Sequence, residues 1–430
     1  MEVDHTHVSH ASGLKRLFRS LHYRNYRLFF GGQGISLIGT WMQRTALWWL
    51  VYRLTNSTFL LGLVEFAGYV PTLFLAPLAG VLADRWNRHR ILVVTQILAM
   101  MQALLLSFLV LSDRVAIWHI VCLSLLLGVI QAFDIPARQS LVVDLIERRD
   151  DLGNAIALNS FMFNSARLLG PPVAGILIAW TGEGVCFLLN GLSFIVVIGS
   201  LVAMRIHSQA KVAADAQLLQ GLSDGLAYAL RFPPMRYTLL LVALVSLMGV
   251  PFWVLLPVFA RDILGGGPHT LGFLMAAAGG GALCGAVYLA SRKSVTGLAR
   301  VIPMAGYLLG AGLVTFSLAR TLWLSLSLIA LAGFGLIAVM ASSNTLLQSI
   351  VDDDKRGRVM SLFTMALMGV APFGSLLAGS LAGEIGAPNT LLMGGVCCIL
   401  GAGLFATKLS SLGRWIGPTG ARPDPGLPVG

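Results

Sequence analysis

Apolar runs of roughly twenty or more residues recur twelve times along this 430-residue chain. Each is long enough, as a helix rising 1.5 Å per residue, to cross about 30 Å of hydrocarbon. They lie near residues 28–53, 58–82, 90–111, 115–136, 153–179, 185–204, 238–260, 269–290, 301–319, 322–349, 359–382 and 390–409. Composition agrees: 11% of residues are charged, where a soluble domain carries about 25%, and mean hydropathy is +0.80. A water-soluble chain of this make-up would expose large apolar patches, so most of its surface faces lipid. The 48 glycines suit helices packed closely in a membrane, where lipid gives no hydrophobic drive for association.

The net charge of +11 does not form the single basic stripe of a nucleic-acid binder. Of 30 Lys and Arg, 24 fall at the termini and in the loops after spans 2, 4, 6, 8 and 10. Arg53, Arg114, Arg261 and Arg320 lie on the other side, and Arg44 and Arg167 lie within spans. This bias predicts both termini in the cytoplasm. The first 27 residues lack the short apolar core of a removable signal peptide. Leu14, Leu17, Phe18 and Leu21 among Lys15, Arg16 and Arg19 predict a helix on the cytoplasmic leaflet. Cys122, Cys186, Cys284, Cys397 and Cys398 sit in apolar runs without metal-ligand spacing, and His5, His7 and His10 read as incidental.

The longest internal connection, 206–237, carries a predicted helix through Leu218, Leu222 and Tyr228 and divides the spans six and six. The expected units are a tail at 1–27, a bundle at 28–205, the linker, a bundle at 238–410 and a tail at 411–430. A shift of 204 residues lays Arg148–Asp151 over Asp352–Lys355 and matches Gly153 with Gly357, Leu158 with Leu362, Gly175 with Gly379 and Gly182 with Gly386. Repeated halves with a midplane site between them are a recurrent transporter plan.

The loop after the second span reads Gly80-Val-Leu-Ala-Asp84-Arg85-Trp-Asn-Arg88-His-Arg90. It resembles the signature loop of the major facilitator superfamily, and departs at Asn87, where the pattern has glycine. Asparagine also tolerates a left-handed turn. The resemblance implies a gate: Asp84 at the N-terminus of helix 11, where a carboxylate is favoured, and Arg88 paired with Asp134 at the foot of helix 4. In the fifth span, Ala157, Ala166 and Gly170-Pro171-Pro172-Val-Ala-Gly175 partly match the glycine–proline motif of proton-coupled exporters of the superfamily. Its prolines should bend the helix. Phe133–Gln139, Asn154–Ser160, Ala166-Arg167, Leu256–Asp262 and Gly357–Ser361 are similar to the branch holding the enterobactin exporter and macrolide-efflux relatives. Resemblance spans roughly residues 18–410 and implies an all-α fold of twelve helices in two six-helix bundles.

Ionisable residues at membrane depth are functional candidates. Arg44 lies 11 residues before the turn at Thr55 and Glu65 lies 10 after it. Both are thus about 15 Å below the outer surface and able to pair. Arg167 sits midway along the fifth span. Either these form a structural ion pair and an arginine bonded to backbone carbonyls, or Glu65 carries the proton while Arg167 attracts an anionic group on cargo. The second half has no buried acid; Trp253, Tyr288, Tyr307, Asn344 and Gln348 are its candidate cavity residues. The chain shows neither a phosphate-cradling loop nor a nucleophile–base pair, so ATP use and catalysis are excluded, with no cofactor and no metal expected. The expectation is a monomeric transporter in a bacterial inner membrane, exporting small amphipathic molecules, siderophore or drug-like, against protons and among membrane lipids. The alternative is a lipid or lysolipid transporter, or a uniporter, without proton coupling.

Overall fold

The computed structural model describes residues 19–146, 148–204, 227–292, 297–352 and 355–412, without the side chains of 76, 77, 81, 83–85, 149 and 409–412. Every regular element among them is helical. The first half comprises α1 (Arg24–Thr55), α2 (Thr58–Arg85), α3 (Arg88–Leu111), α4 (Ile117–Asp144), α5 (Arg149–Thr181) and α6 (Glu183–Ala203). The second comprises α7 (Pro233–Ile263), α8 (Pro268–Ala290), α9 (Leu298–Leu318), α10 (Leu322–Ile350), α11 (Arg356–Ile385) and α12 (Ala387–Leu412). Eleven of the twelve are long and apolar enough to cross a membrane. The exception is α1, 32 residues long, whose apolar run is broken by Gln33, Gln43 and Arg44. It nevertheless packs lengthwise against α5 and α6 as a member of the bundle.

Two helices are not the plain spans expected. α7 carries π turns at Val245–Gly249 and Phe259–Ile263, and α11 carries one at Met365–Gly369. Pro251 and Pro372 follow closely, and a proline leaves a gap in the donor ladder that the wider turn accommodates. By contrast α5 runs as one helix through Pro171 and Pro172. α7 also starts at Pro233, inside the expected linker.

Leu14, Leu17, Phe18, Leu218 and Leu222 lie outside the described residues. Leu21 belongs to a single 3-10 turn, Arg19–His22. That turn is pinned to the start of α5, where Asp151 pairs with Arg19 and accepts from the Tyr23 hydroxyl at 2.7 Å. Tyr228 lies in a helical turn over 227–231 and donates to Asp352 at 2.7 Å.

The halves meet along two seams, α2 against α11 and α5 against α8, and the seams correspond. A Cβ on Gly175 would lie 2.6 Å from the Pro268 carbonyl oxygen, and one on Gly379 2.5 Å from that of Thr58. One on Gly272 would lie 2.5 Å from the Pro171 oxygen, and one on Gly62 2.5 Å from that of Ser375. Only glycine permits backbones this close. The repeat is therefore structural: Gly175 and Gly379, 204 residues apart, perform the same packing. Gly182 and Gly386 likewise end α5 and α11 at φ +82° and +83°, a left-handed region that favours glycine.

Candidate functional site

The two charges paired from depth arithmetic do meet. Arg44 on α1 forms an ion pair with Glu65 Oε1 on α2, and Trp48 Nε1 donates to Oε2 at 3.0 Å. The guanidinium lies 4.9 Å from the Trp48 ring, 5.2 Å from Tyr69 and 5.5 Å from Trp41. Aromatic faces attract a cation, more strongly where water is excluded. These rings are not among the residues singled out from the sequence, although their spacing marks them. Trp41 and Trp48 stand three before and four after Arg44, and Tyr69 four after Glu65, which puts each on the same helix face.

A second buried network holds α1 in register. Gln43 donates to Gln102 Oε1 on α3 at 3.1 Å and accepts from Asn190 on α6 at 2.7 Å. Gln102 in turn donates to the Leu123 carbonyl at 3.3 Å. With Gln43 fixed toward the bundle interior, the next residue is turned by about 100°. Arg44 thereby faces α2, and Thr45 reaches α8, where its hydroxyl lies 3.5 Å from Met275 Sδ.

Arg167 is not brought into this pair. It stands on α5, its carbonyl oxygen 3.4 Å from where a Cβ on Gly279 of α8 would be. Nε and Nη2 are buried without a hydrogen-bond partner, so neither is tied to the carbonyls freed by the prolines. The motif around it is a packing device. A Cβ on Gly170 would lie 2.6 Å from Trp41 Cβ, and Gly175 and Pro171 close on α8.

The loop motif departs from the resemblance in three ways. Asn87 has φ −67° and caps α3, its Oδ1 accepting from Arg90 N at 3.2 Å; it is not left-handed. Arg88 reaches Asp144, the last residue of α4, at 2.8 Å. Asp134, 3% exposed, is enclosed instead by Arg138, by Thr95 Oγ1 at 2.9 Å and by Gln96 Nε2 at 2.7 Å. The physical reason is depth: Asp134 lies ten residues, about 15 Å, from the helix end where Arg88 begins α3. Gly80 lies in α2 with open space beside it, and the side chains of Asp84 and Arg85 lie outside the described residues.

The second-half candidates do not converge. Asn344 accepts from Gln348 at 2.9 Å one turn away, and Tyr288 accepts from Arg292 at 3.1 Å while its ring stands 5.8 Å from Phe334. Trp253 stacks on Phe252 at 4.8 Å. Tyr307 faces α12, its hydroxyl 3.3 Å from a Cβ on Gly403, away from the seams. Among the described residues, three cross-half hydrogen bonds lie at the end opposite the termini. Tyr52 donates to Asp262, Arg261 to Asn56 at 2.8 Å, and Thr58 to the Gly379 carbonyl at 2.8 Å.

The chain matches a known family model over residues 18–415. That family is described as transmembrane secretion effectors, of the major facilitator type. The chain belongs to it. Membership makes the protein an integral membrane transporter and not an enzyme. Among similar family-scale relatives, the staphyloferrin A transporter of Staphylococcus aureus is 25% identical, covering 87% of this chain and 93% of that one. The multidrug efflux pump Tap of Mycolicibacterium fortuitum is 26% identical over 84% and 88%, and macrolide efflux protein A of Streptococcus pyogenes 23% over 88% and 95%. The fold is also that of a bacterial spinster homologue in an inward-facing, occupied conformation, with TM-score 0.70, 14% identity and coverage of 90% and 97%. A bacterial ferroportin homologue in an inward-facing state gives 0.68, 18%, 90% and 99%.

Proposed function

We propose that this effector exports small amphipathic molecules from the cytoplasm by alternating access, driven by protons that load Glu65. The observation that carries the coupling is the Arg44–Glu65–Trp48 cluster, set on the first and second helices where α1 and α2 approach the seams. An ionised Glu65 is held by Arg44 and by the indole N–H. A proton on Glu65 removes the Coulombic tie between α1 and α2 and leaves Arg44 on its aromatic cage, which suits the cation alone. Proton binding thus changes what holds α1 to α2, a helix that forms one of the seams.

Cargo class rests on the relatives, whose names include a siderophore transporter, a multidrug pump and a macrolide pump. The basic loops support a reading with both termini on the cytoplasmic side of a bacterial inner membrane. The cross-half bonds from Tyr52 to Asp262 and from Arg261 to Asn56 then close the outer face, which supports reading this conformation as one that opens inward. In this reading the protein works as a monomer of two six-helix bundles, 28–205 and 238–410, on either side of the 206–237 linker.

The test uses purified protein in liposomes with an entrapped pH dye, an imposed pH gradient and a panel of amphipathic siderophore and macrolide compounds. The proposal expects compound-dependent proton flux in the parent. In Glu65→Gln, proton flux and uphill transport should be lost while cargo exchange persists. Cargo movement without proton flux would overturn coupling and favour the uniporter or lipid-transporter reading. Uphill transport by Glu65→Gln at the parental rate would remove Glu65 from the coupling role.

A further inference from the structure

Arg44, Arg138 and Arg167 stand within the described helices with limited solvent contact, and two of them have a carboxylate. Arg44 has Glu65 and Arg138 has Asp134. Arg167 has none, and its Nε and Nη2 are buried without hydrogen-bond partners. Arg167 as a whole is half-buried, but a cationic edge closed off from both water and a partner is unfavourable at membrane depth. Arginine does not escape by losing its proton, as lysine can. The missing term in this site is therefore a negative charge from outside the chain.

Which atoms are orphaned says what shape that charge has. Nε–H and one Nη2–H point the same way and form the side-on edge of the guanidinium. This edge donates two parallel hydrogen bonds to the two oxygens of one carboxylate or phosphate. The surroundings say what the rest of the ligand is. Phe163 lies one turn before Arg167 on the same face of α5 and is 45% exposed. Its ring meets Trp41 of α1 edge-on, with centroids 6.0 Å apart. Trp41 also underlies Arg44 and is held against Gly170, so α1 and α5 present a fixed aromatic corner on the helix face that carries Arg167. The Arg167 carbonyl faces α8 at Gly279, so the residue's backbone belongs to the α5–α8 seam, which alternating access would part.

We infer that Arg167 is the anchor of a ligand subsite that takes a bidentate oxyanion, a carboxylate attached to an aromatic or apolar body that rests on Phe163 and Trp41. This deepens the export reading by naming a cargo class, and it rests on that reading only for the claim that the ligand is cargo. A lipid phosphate entering at the α5–α8 seam would offer the same fork chemistry, and the experiment separates the two sources.

The full chain is placed in nanodiscs of phosphatidylcholine, and binding of 2-naphthoate is measured by equilibrium dialysis against its neutral isostere 2-naphthamide, with empty nanodiscs subtracted. The proposal expects the acid to bind at least about tenfold more tightly than the amide, the scale of a charge-assisted hydrogen bond. Arg167→Gln should erase the preference. Arg167→Lys, which keeps the charge but not the fork, should keep only part of it. Equal binding of acid and amide by the parent, or no acid binding up to millimolar concentration, overturns the subsite whatever the variants do. Retention of the full preference in Arg167→Gln overturns the anchor. Replacing a third of the lipid by phosphatidylglycerol leaves naphthoate binding unchanged if the site takes cargo; competitive loss assigns the fork to lipid headgroups and overturns the cargo claim. Because no pH gradient is used, Glu65→Gln should retain the acid preference. A failure of proton coupling and a failure of this subsite are thereby told apart.

Discussion

The correspondence of the two seams makes one substitution quantitative. A Cβ at Gly175 would stand 2.6 Å from the Pro268 carbonyl oxygen and 2.8 Å from His269 Cα. Both are backbone atoms and cannot rotate aside. Ordinary contact begins near 3.4 Å, so Gly175→Ala forces α5 and α8 apart by about 0.8 Å locally. Overpacking of this kind costs about 1–3 kcal/mol. If alternating access parts α5 from α8 at this end, the whole cost falls on the conformation seen here. The ratio of closed to open populations then falls about 5- to 150-fold. Gly379→Ala, with its Cβ 2.5 Å from the Thr58 oxygen, should act equally through the other seam. Gly153→Ala, with nothing within 4 Å, is the control. The assay is double electron–electron resonance between labels at Arg114→Cys and Thr321→Cys, one on each half, in a background with the five native cysteines replaced by alanine. Both seam variants should shift weight to the longer distance. An unchanged distribution in Gly175→Ala and Gly379→Ala, with the protein folded, would refute the claim that these approaches are state-specific.

Three further outcomes follow from the geometry. Arg44→Gln leaves Glu65 buried without its cation and should cost about 3–5 kcal/mol, seen as a fall in thermal unfolding temperature in detergent; the double variant with Glu65→Gln should recover much of it. A loss in the double variant equal to the sum of the two single losses would mean the pair carries no coupling. Tyr52→Phe removes the hydroxyl that meets Asp262 and should weaken closure by about 0.5–1.5 kcal/mol, a twofold to thirteenfold shift toward the longer distance in the same resonance assay. Gly182→Ala and Gly386→Ala should each destabilise by about 1 kcal/mol, and by similar amounts, since both hold φ near +82° with open space or a loose neighbour; a large disparity in unfolding temperature would deny their equivalence.

Much of the fold is legible because lipid fixes the length of a crossing helix, so apolar runs and the repeat at 204 residues locate the halves without knowledge of packing. The Arg44–Glu65 pair is legible for the same reason, since depth is counted from one shared turn. What escapes is direction around each helix. Tyr307 has the depth of a cavity residue but the azimuth of an α12 contact. The π turns of α7 and α11 shift azimuth by changing the ladder, and nothing in hydropathy marks them beyond the prolines that follow. Asp134 shows a different failure. The family pattern assigns it a partner in the loop, whereas a local arginine four residues on and two side chains of α3 satisfy it first.

The seams also show where the chemistry divides. Counting from the matched pairs Thr58–Pro268 and Gly62–Gly272, the position equivalent to Glu65 is Met275. Counting from Pro171–Ser375 and Gly175–Gly379, the position equivalent to Arg167 is Ala371. The packing glycines are kept in both halves while the charges stand in one. The π turns show the opposite bias, all three among the described residues lying in the second half. A charged site needs fixed partners, and the Gln43–Gln102–Asn190 network provides them in the first bundle. A π turn is a place where a helix can change register at little cost. Under the proposed function the halves divide the work: the first would bind the ion and the anion on a rigid frame, and the second would bend around it. On that division, adding an acid at Met275 would not create a second coupling site, because no Arg44 cage stands opposite it.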